Sequence, residues 1–273
     1  MTARPSRLVL LGHPVAHSLS PRFQQAALDA AGIALRYEAL DVAPDALDAT
    51  LDALVAAGAA GNATIPHKRA LFARCAVRTP VAERTGAVNC WWVRDGVLHG
   101  DNTDVAGFDD AVVALLGDRP VGARVALLGA GGAARAVAVA VAAWPGASLA
   151  TWNRSPARAS DVAALGPAGA SRAEVAMADA LHGADLVVNA TSVGLHDAQV
   201  IVDAAALPAG AACLDLVYRP DETAWVRAAR ARGHRAADGL AMLVGQGARA
   251  FERWLGVAPD RAAMWRALGR DAA

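Results

Sequence analysis

The sequence predicts an α/β protein in two parts, each built by strands alternating with helices. Three observations carry that expectation. Apolar runs of strand length alternate with helix-length segments from Arg7 to about His234. A hairpin signal, Arg94-Asp95-Gly96, interrupts the alternation and divides it into two runs. A glycine-rich turn at Gly129 then joins a strand directly to a helix in the second run, as doubly wound sheets require.

The elements are read in chain order. Arg7 to Leu11 is a strand, and a helix follows from Ser20 to Ala31, with Ser20 as N-cap and Pro21 at the first helical position. Ala34 to Asp41 is a second strand, Ala43 to Ala57 a helix, and Asn62 to Ile65 a third strand stopped by Pro66. The hairpin pairs Val88 to Val93 with Val97 to Gly100. After Asn102-Thr103-Asp104 comes a helix, Val105 to Leu116, then strand Ala123 to Leu128, helix Gly132 to Ala143 and strand Ser148 to Trp152. A helix at Pro156 to Ala164, strands Asp185 to Asn189 and Ala212 to Val217, a helix at Glu222 to Arg232 and a short strand near His234 complete the sheet. Helices Leu240 to Leu255 and Arg261 to Leu268 have no strand after them to cross over to.

Composition excludes several classes of function. The 273 residues include 26 basic and 26 acidic side chains, 55% hydrophobic residues and 19% charged ones, as in folded globular chains. Zero net charge without a local basic cluster provides no field to attract nucleic acid. The longest apolar stretch, Ala136 to Trp144, falls well short of the ~20 residues of a bilayer span. Leu8 to Leu11 is too short for a signal-peptide core, so a cytoplasmic protein with no membrane partner is expected. Cys75, Cys90 and Cys213 have no C-x-x-C spacing and read as buried thiols. Trp91-Trp92 read as core or interface anchors, and their place on an edge hairpin points to a homodimer.

The strand ending at Leu128 runs into Gly129-Ala130-Gly131-Gly132-Ala133-Ala134, a match to G-x-G-x-x-A at a helix start. Gly129 permits the tight turn, Gly131 lets backbone approach a pyrophosphate, and Ala134 allows close helix packing. Free N–H groups of the helix N-terminus, with Gly132 and Ala133, face the anion. This is a Rossmann-like dinucleotide site. At the end of the next strand, Asn153-Arg154-Ser155-Pro156-Ala157-Arg158 offers no carboxylate for a ribose 2′-OH, while Arg154 and Arg158 suit a 2′-phosphate, so the cofactor read here is NADP.

Of the 26 Lys and Arg residues, Lys68 is the only lysine. A chain that uses arginine wherever a positive charge suffices keeps a lysine where a proton must leave and return, which a guanidinium cannot do. Burial lowers the pKa of such an amine and a neighbouring carboxylate raises it. His17 and His67 flank the motifs as loop histidines near an anionic ligand, and no H-E-x-x-H or other ligand spacing predicts a metal.

The loop Gly12-His13-Pro14-Val15-Ala16-His17-Ser18-Leu19-Ser20-Pro21 places two hydroxyls where a small carboxylate can be held. It is followed by Gly61-Asn62-Ala63-Thr64-Ile65-Pro66-His67-Lys68, Gly86-Ala87-Val88-Asn89 and Gly100-Asp101-Asn102-Thr103-Asp104. Asn189-Ala190-Thr191-Ser192-Val193-Gly194, Asp215-Leu216-Val217-Tyr218 and Asp238-Gly239-Leu240 to Gln246 come later. In this order the motifs resemble those of the shikimate dehydrogenase family over nearly the whole chain. Ala63, Cys90 and Leu195 depart from the usual pattern, where valine, threonine and methionine are common, and none removes a polar role.

The resemblance implies NADPH-dependent reduction of 3-dehydroshikimate to shikimate, in the pathway to aromatic amino acids. It implies Lys68 and Asp104 as the catalytic pair, Ser18 and Ser20 on the substrate carboxylate, and Thr64, Asn89, Tyr218 and Gln246 around the substrate. Thr191, Leu216 and Gly239 join Gly129 to Ala133 and Asn153 to Arg158 on the cofactor side. A substrate domain of residues 1–104 with 240–273, an NADP domain of residues 105–239 and a reaction cleft between them are implied as well. Related activities on the same scaffold are a quinate/shikimate or aminoshikimate dehydrogenase. A non-catalytic NADP-binding regulatory protein is the alternative of another class, against which the intact Lys68, Asp104 and Asn89 argue.

Overall fold

A computed structural model describes residues 4–270. The chain divides into two compact units, one drawn from Met1–Asp104 with Leu243–Ala273 and the other from Val105–Met242.

The first unit holds β1 (Leu8–Gly12), α1 (Ser20–Ala30), β2 (Tyr37–Asp41), a 3-10 turn at Pro44–Ala46 that leads into α2 (Leu47–Ala56), and β3 (Ala60–Ala63). It continues through α3 (Lys68–Arg74), β4 (Val77–Arg78), α4 (Pro80–Thr85), β5 (Cys90–Arg94) and β6 (Val97–Asp101). The six strands lie in the order β2-β1-β3-β5-β6-β4, with β5 antiparallel to both neighbours and the other pairs parallel. Side chains alternate across β1, so both faces are buried. Leu8 and Leu10 pack with Phe23, Phe251, Trp254 and Met264, whereas Val9 and Leu11 pack with Leu51, Leu71, Trp91 and Leu98.

The second unit follows α5 (Asp104–Leu116) with β7 (Arg124–Leu128), α6 (Gly132–Val141), β8 (Ser148–Trp152), α7 (Pro156–Ala163), β9 (Ser171–Glu174), α8 (Met177–Leu181) and β10 (Leu186–Asn189). A 3-10 turn at Ala204–Ala206, β11 (Ala212–Asp215), α9 (Ala224–Ala231) and β12 (Ala236–Ala237) complete it. Its sheet, β12-β11-β10-β7-β8-β9, is parallel throughout. The order reverses between β7 and β10, the switch point at which doubly wound sheets bind ligands. The last helices are α10 (Leu240–Leu255) and α11 (Arg261–Ala267).

The structure corrects the sequence reading in several places. Ser20 is not the N-cap of α1: Leu19 holds that position without a side-chain bond, and the Ser18 hydroxyl accepts from the Ser20 N–H at 3.3 Å instead. α3, β4, α4, β9 and α8 are too short to show a period and were not expected. The second strand begins at Tyr37 rather than Ala34, and the third is displaced toward the N-terminus, ending at Ala63.

The hairpin turn itself has the expected chemistry, with Asp95 and Gly96 both at positive φ, 53° and 72°. The hairpin does not lie at an edge, however, because β3 pairs with one side of it and β4 with the other. Trp91 is wholly buried and donates to the Asn62 carbonyl at 3.3 Å, so it is a core residue. The edge-strand argument for a homodimer therefore falls. All three cysteines are buried thiols, with burial pushing Cys75 and Cys213 up to about 12 and raising Cys90 well above the ordinary thiol value. Among the described residues, no helix is long and apolar enough to cross a membrane.

Candidate active site

In the first unit the polar side chains at the ends of β3, β5 and β6 form one connected network. The loop after β3 is pinned to β1 by Thr64 N–H donating to the Leu11 carbonyl at 2.8 Å. His67 is buried, and its Nε2 lies 2.7 Å from the Val42 carbonyl, so it anchors this turn rather than facing a ligand as a loop histidine. Lys68 opens α3 immediately afterwards, and its carbonyl accepts from Val88 N–H at 2.8 Å.

Asp104 opens α5, where a carboxylate interacts favourably with the helix dipole. The Asn102 side-chain oxygen accepts from Asp104 N–H at 3.1 Å, an Asx turn that leads into the helix. Lys68 Nζ donates to Asp104 Oδ2 at 2.6 Å, with side-chain exposures of 14% and 6%. Asn89 Nδ2 lies within donor reach of Asp104 Oδ1 at 2.7 Å, Thr103 Oγ1 at 3.0 Å and Gln246 Oε1 at 3.2 Å. Its other end, Oδ1, accepts from Thr103 N–H at 2.7 Å. Asn62 supports the same strand end by donating to the Asn89 carbonyl at 2.9 Å while accepting from the Tyr37 hydroxyl at 2.7 Å.

Lys68, Asp104, Asn89 and Gln246 are thus brought together. Ser18 and Ser20 sit at the start of α1 in the same unit, with Ser20 buried, and Thr64 lies half-buried on the β3 loop. Tyr218 lies half-buried in the second unit, on the segment after β11. An ammonium held against a carboxylate at hydrogen-bond distance, itself bonded to an amide, can pass a proton to or from a substrate oxygen.

In the second unit, Gly129 has φ 123°, and a Cβ there would come within 2.7 Å of the Ala190 carbonyl oxygen. Gly131 is the N-cap of α6, and a Cβ there would meet nothing within 4 Å. The space before the helix N-terminus is therefore open at Gly131, as the backbone approach of a pyrophosphate requires. Ala134 is fully buried against the sheet. Ala130, Gly132 and Ala133 remain half-buried around it.

Arg154 and Arg158 are exposed and make no hydrogen bond or ion pair with the described residues. Asn153 donates to the Ser155 carbonyl at 3.2 Å, and Ser155 is the N-cap of α7 without a side-chain cap bond. No carboxylate ends β8, so this strand end suits a phosphate better than a 2′-hydroxyl.

Asn189 and Asp215 close the neighbouring strands; both lie in motifs that carry the family resemblance, yet neither is a site candidate from sequence. Asn189 Nδ2 donates to Asp215 Oδ1 at 2.8 Å, while its Oδ1 accepts from Thr191 N–H at 3.0 Å and the Thr191 hydroxyl at 2.7 Å. Asp215 also accepts from Val217 N–H at 3.1 Å and the Thr223 hydroxyl at 2.8 Å. Burial, opposed only in part by these bonds, raises its carboxyl to about 6. Leu216 follows directly, and a Cβ on Gly239 would lie 2.3 Å from the Leu216 carbonyl oxygen, so Gly239 is required by packing on that segment. The available signal was polarity at the end of an otherwise apolar strand.

An all-parallel doubly wound sheet with a glycine turn at its switch point, on the same chain as a buried lysine–carboxylate pair, has the architecture of a dinucleotide-dependent oxidoreductase. Comparison with known proteins narrows this. Residues 10–91 match the shikimate dehydrogenase substrate binding domain, and residues 239–268 match the shikimate 5′-dehydrogenase C-terminal domain. The NADP(+) shikimate dehydrogenase of Methylobacterium radiotolerans is 44% identical over 267 residues, covering 95% of this chain and 94% of the relative. A crystal structure of shikimate 5-dehydrogenase from Thermus thermophilus, in complex with NADP(H) and shikimate, aligns with a TM-score of 0.86 at 41% identity, covering 96% of this chain and 98% of the other. Quinate dehydrogenase from Corynebacterium glutamicum, in complex with NAD, also gives a TM-score of 0.86, at 29% identity, covering 96% of this chain and 98% of the other. The chain belongs to the shikimate dehydrogenase family.

Proposed function

We propose that this protein catalyses the reversible NADPH-dependent reduction of 3-dehydroshikimate to shikimate. The observation that carries the reading is the 2.6 Å contact between Lys68, the only lysine, and Asp104, held in place by Asn89. NADP, when bound, accepts or supplies the hydride. Oxidation of the carbinol also needs a base for the hydroxyl proton, and Lys68 takes that role; in reduction its ammonium protonates the developing alkoxide. Asp104 orients both the amine and the substrate hydroxyl. Ser18 and Ser20 hold the substrate carboxylate, with Thr64, Asn89, Tyr218 and Gln246 as further substrate contacts.

On this reading the first unit binds substrate and the second binds NADP, through the N–H groups of the Gly129 to Ala133 turn and the guanidiniums of Arg154 and Arg158. Asn153, Ser155, Thr191, Leu216 and Gly239 complete the cofactor side. The substrates are small molecules, neither nucleic acid nor membrane is a partner, and the proposed location is the cytoplasm. Steady-state kinetics with shikimate and quinate, each paired with NADP and with NAD, test the proposal. Shikimate with NADP is expected to give the highest kcat/KM; preference for quinate or for NAD overturns it, and no turnover with any pair favours the regulatory alternative.

A further inference from the structure

Helix α10 touches the polar network at two points. Gln246 meets Asn89, and Arg253, two helical turns or about 10.5 Å further along the same face, donates through Nη2 to Asp101 Oδ2 at 2.8 Å. Asp101 ends β6, three residues before Asp104. Its buried carboxylate also accepts from the Thr79 hydroxyl at 2.5 Å and from Asn102 N–H at 2.8 Å. The Arg253 guanidinium in addition lies over the Trp92 ring, 5.5 Å from its centroid, and Trp92 stacks on His99 at 5.4 Å. The guanidinium is therefore held from two sides.

We propose that Arg253 and Asp101 are positioning residues for the substrate side of the site, setting the rotation of α10 that presents Gln246 to Asn89 and the strand end from which Asp104 projects. This rests on the reading of the first unit as the substrate-binding part. Phe251 and Trp254 seat the inner face of α10 in the core, with Trp254 Nε1 donating to the Trp91 carbonyl at 3.1 Å, and Gln246 and Arg253 add two polar attachments two turns apart that hold the helix to the network itself. The second point joins the same network, because Asp101 holds Asn102 N–H and the Asn102 side-chain oxygen in turn accepts from Asp104 N–H. The Arg253 side chain is 47% exposed and that of Asp101 9%. Arg253 is half-exposed but its partner is buried, so removing the guanidinium leaves an uncompensated carboxylate. The consequence expected of this pair is therefore geometric: without Arg253 the Asp101 carboxylate is buried without its cation, and turning it toward water displaces Asn102.

Arg253→Met retains an unbranched apolar side chain over Trp92 and removes the charge. It is expected to raise KM for shikimate about tenfold while KM for NADP stays within about twofold, and Arg253→Lys is expected to recover most of the loss. Asp101→Asn should produce the same split, and the double variant should be no worse than the more severe single one, because the two act as a unit. Amide hydrogen exchange over residues 246–253, measured on the same proteins without substrate, should rise in Arg253→Met and Asp101→Asn. Wild-type KM for shikimate in both variants, an equal rise in both KM values, or additive losses overturns the inference. If Arg253→Met does not fold, Asp101→Asn and Arg253→Lys decide by the same criteria. A wild-type protein inert toward shikimate would instead refute the proposed function, and the exchange data would still decide whether the pair fixes α10.

Discussion

The two six-stranded sheets bury different chemistry. In the second unit β7 is apolar after Arg124, and β10 and β11 are apolar until their last positions, where Asn189 and Asp215 appear. In the first unit Asn62, Asn89, Asp101, Asn102, Thr103 and Asp104 are all buried and bonded to one another or to adjacent backbone. Eleven of the fifteen buried polar or charged side chains among the described residues belong to the first unit. The contrast follows from what each proposed ligand requires. A pyrophosphate is held by backbone N–H groups and room to approach them, so the second unit needs a glycine turn at a helix start. A small polyol acid is read by side chains in fixed orientations, and burying such side chains requires that each be hydrogen-bonded.

The sharpest way to break this contrast is to remove a side chain that the first unit supplies. Lys68→Ala is expected to lower kcat by roughly 100 to 10,000-fold, the usual contribution of general acid–base catalysis, with dinucleotide binding nearly unchanged. Retention of more than half the wild-type kcat would remove Lys68 from the mechanism. Asp104→Ala combined with it should add far less than its own separate loss, since the two groups act together; additive losses in the double-mutant cycle would show that they work independently.

The second unit has its own buried ionisable group, and its effect is on stability. Asp215 binds its proton more tightly folded than unfolded, near 6 against 3.8. Its contribution is therefore most favourable below about pH 4 and is lost as pH rises to about 6, by an amount on the order of 3 kcal/mol for a shift of about two pKa units. Asp215→Asn removes that dependence, so the difference in unfolding free energy between variant and wild type should move in favour of the variant between pH 4 and pH 6 and then level off. Denaturant titrations across that range provide the check, and a constant difference would show that the burial penalty has been offset.

Smaller effects sharpen the cofactor side. A charge-assisted hydrogen bond is worth roughly 1.5 to 3 kcal/mol, so Arg154→Ala should raise KM for NADP at least about tenfold and leave NAD nearly unaffected. Equal weakening toward both would make the arginines ordinary surface charges. The smallest expected effect on folding distinguishes the two glycines of the turn. Gly131→Ala should leave Tm within about 2 °C while raising KM for NADP, because its Cβ points into open space. Gly129→Ala should cost about 1 to 3 kcal/mol, since a left-handed backbone there abuts the Ala190 carbonyl. Similar Tm losses in both would remove the distinction between a residue needed for the fold and one kept for the ligand.

The sequence by itself determined the alternation of strands and helices, the glycine turn, the absence of an acid at the end of β8 and the singularity of Lys68. Each is a local property, carried by periodicity, a short motif or composition, and needs no knowledge of what lies across the fold. β8 was placed residue for residue because Ser148 to Trp152 is bounded by turns on both sides. Tertiary structure alone decided that the tryptophan hairpin is enclosed by β3 and β4, because strand order is settled by pairing between distant segments and β4, two residues long, has no pattern to read. It alone decided that His67 bonds the Val42 carbonyl, that Ser18 rather than Ser20 holds the start of α1, and that Arg253 reaches Asp101 across 152 residues. In each case a buried polar atom had to find a partner, and only the folded chain determines which atom is within reach.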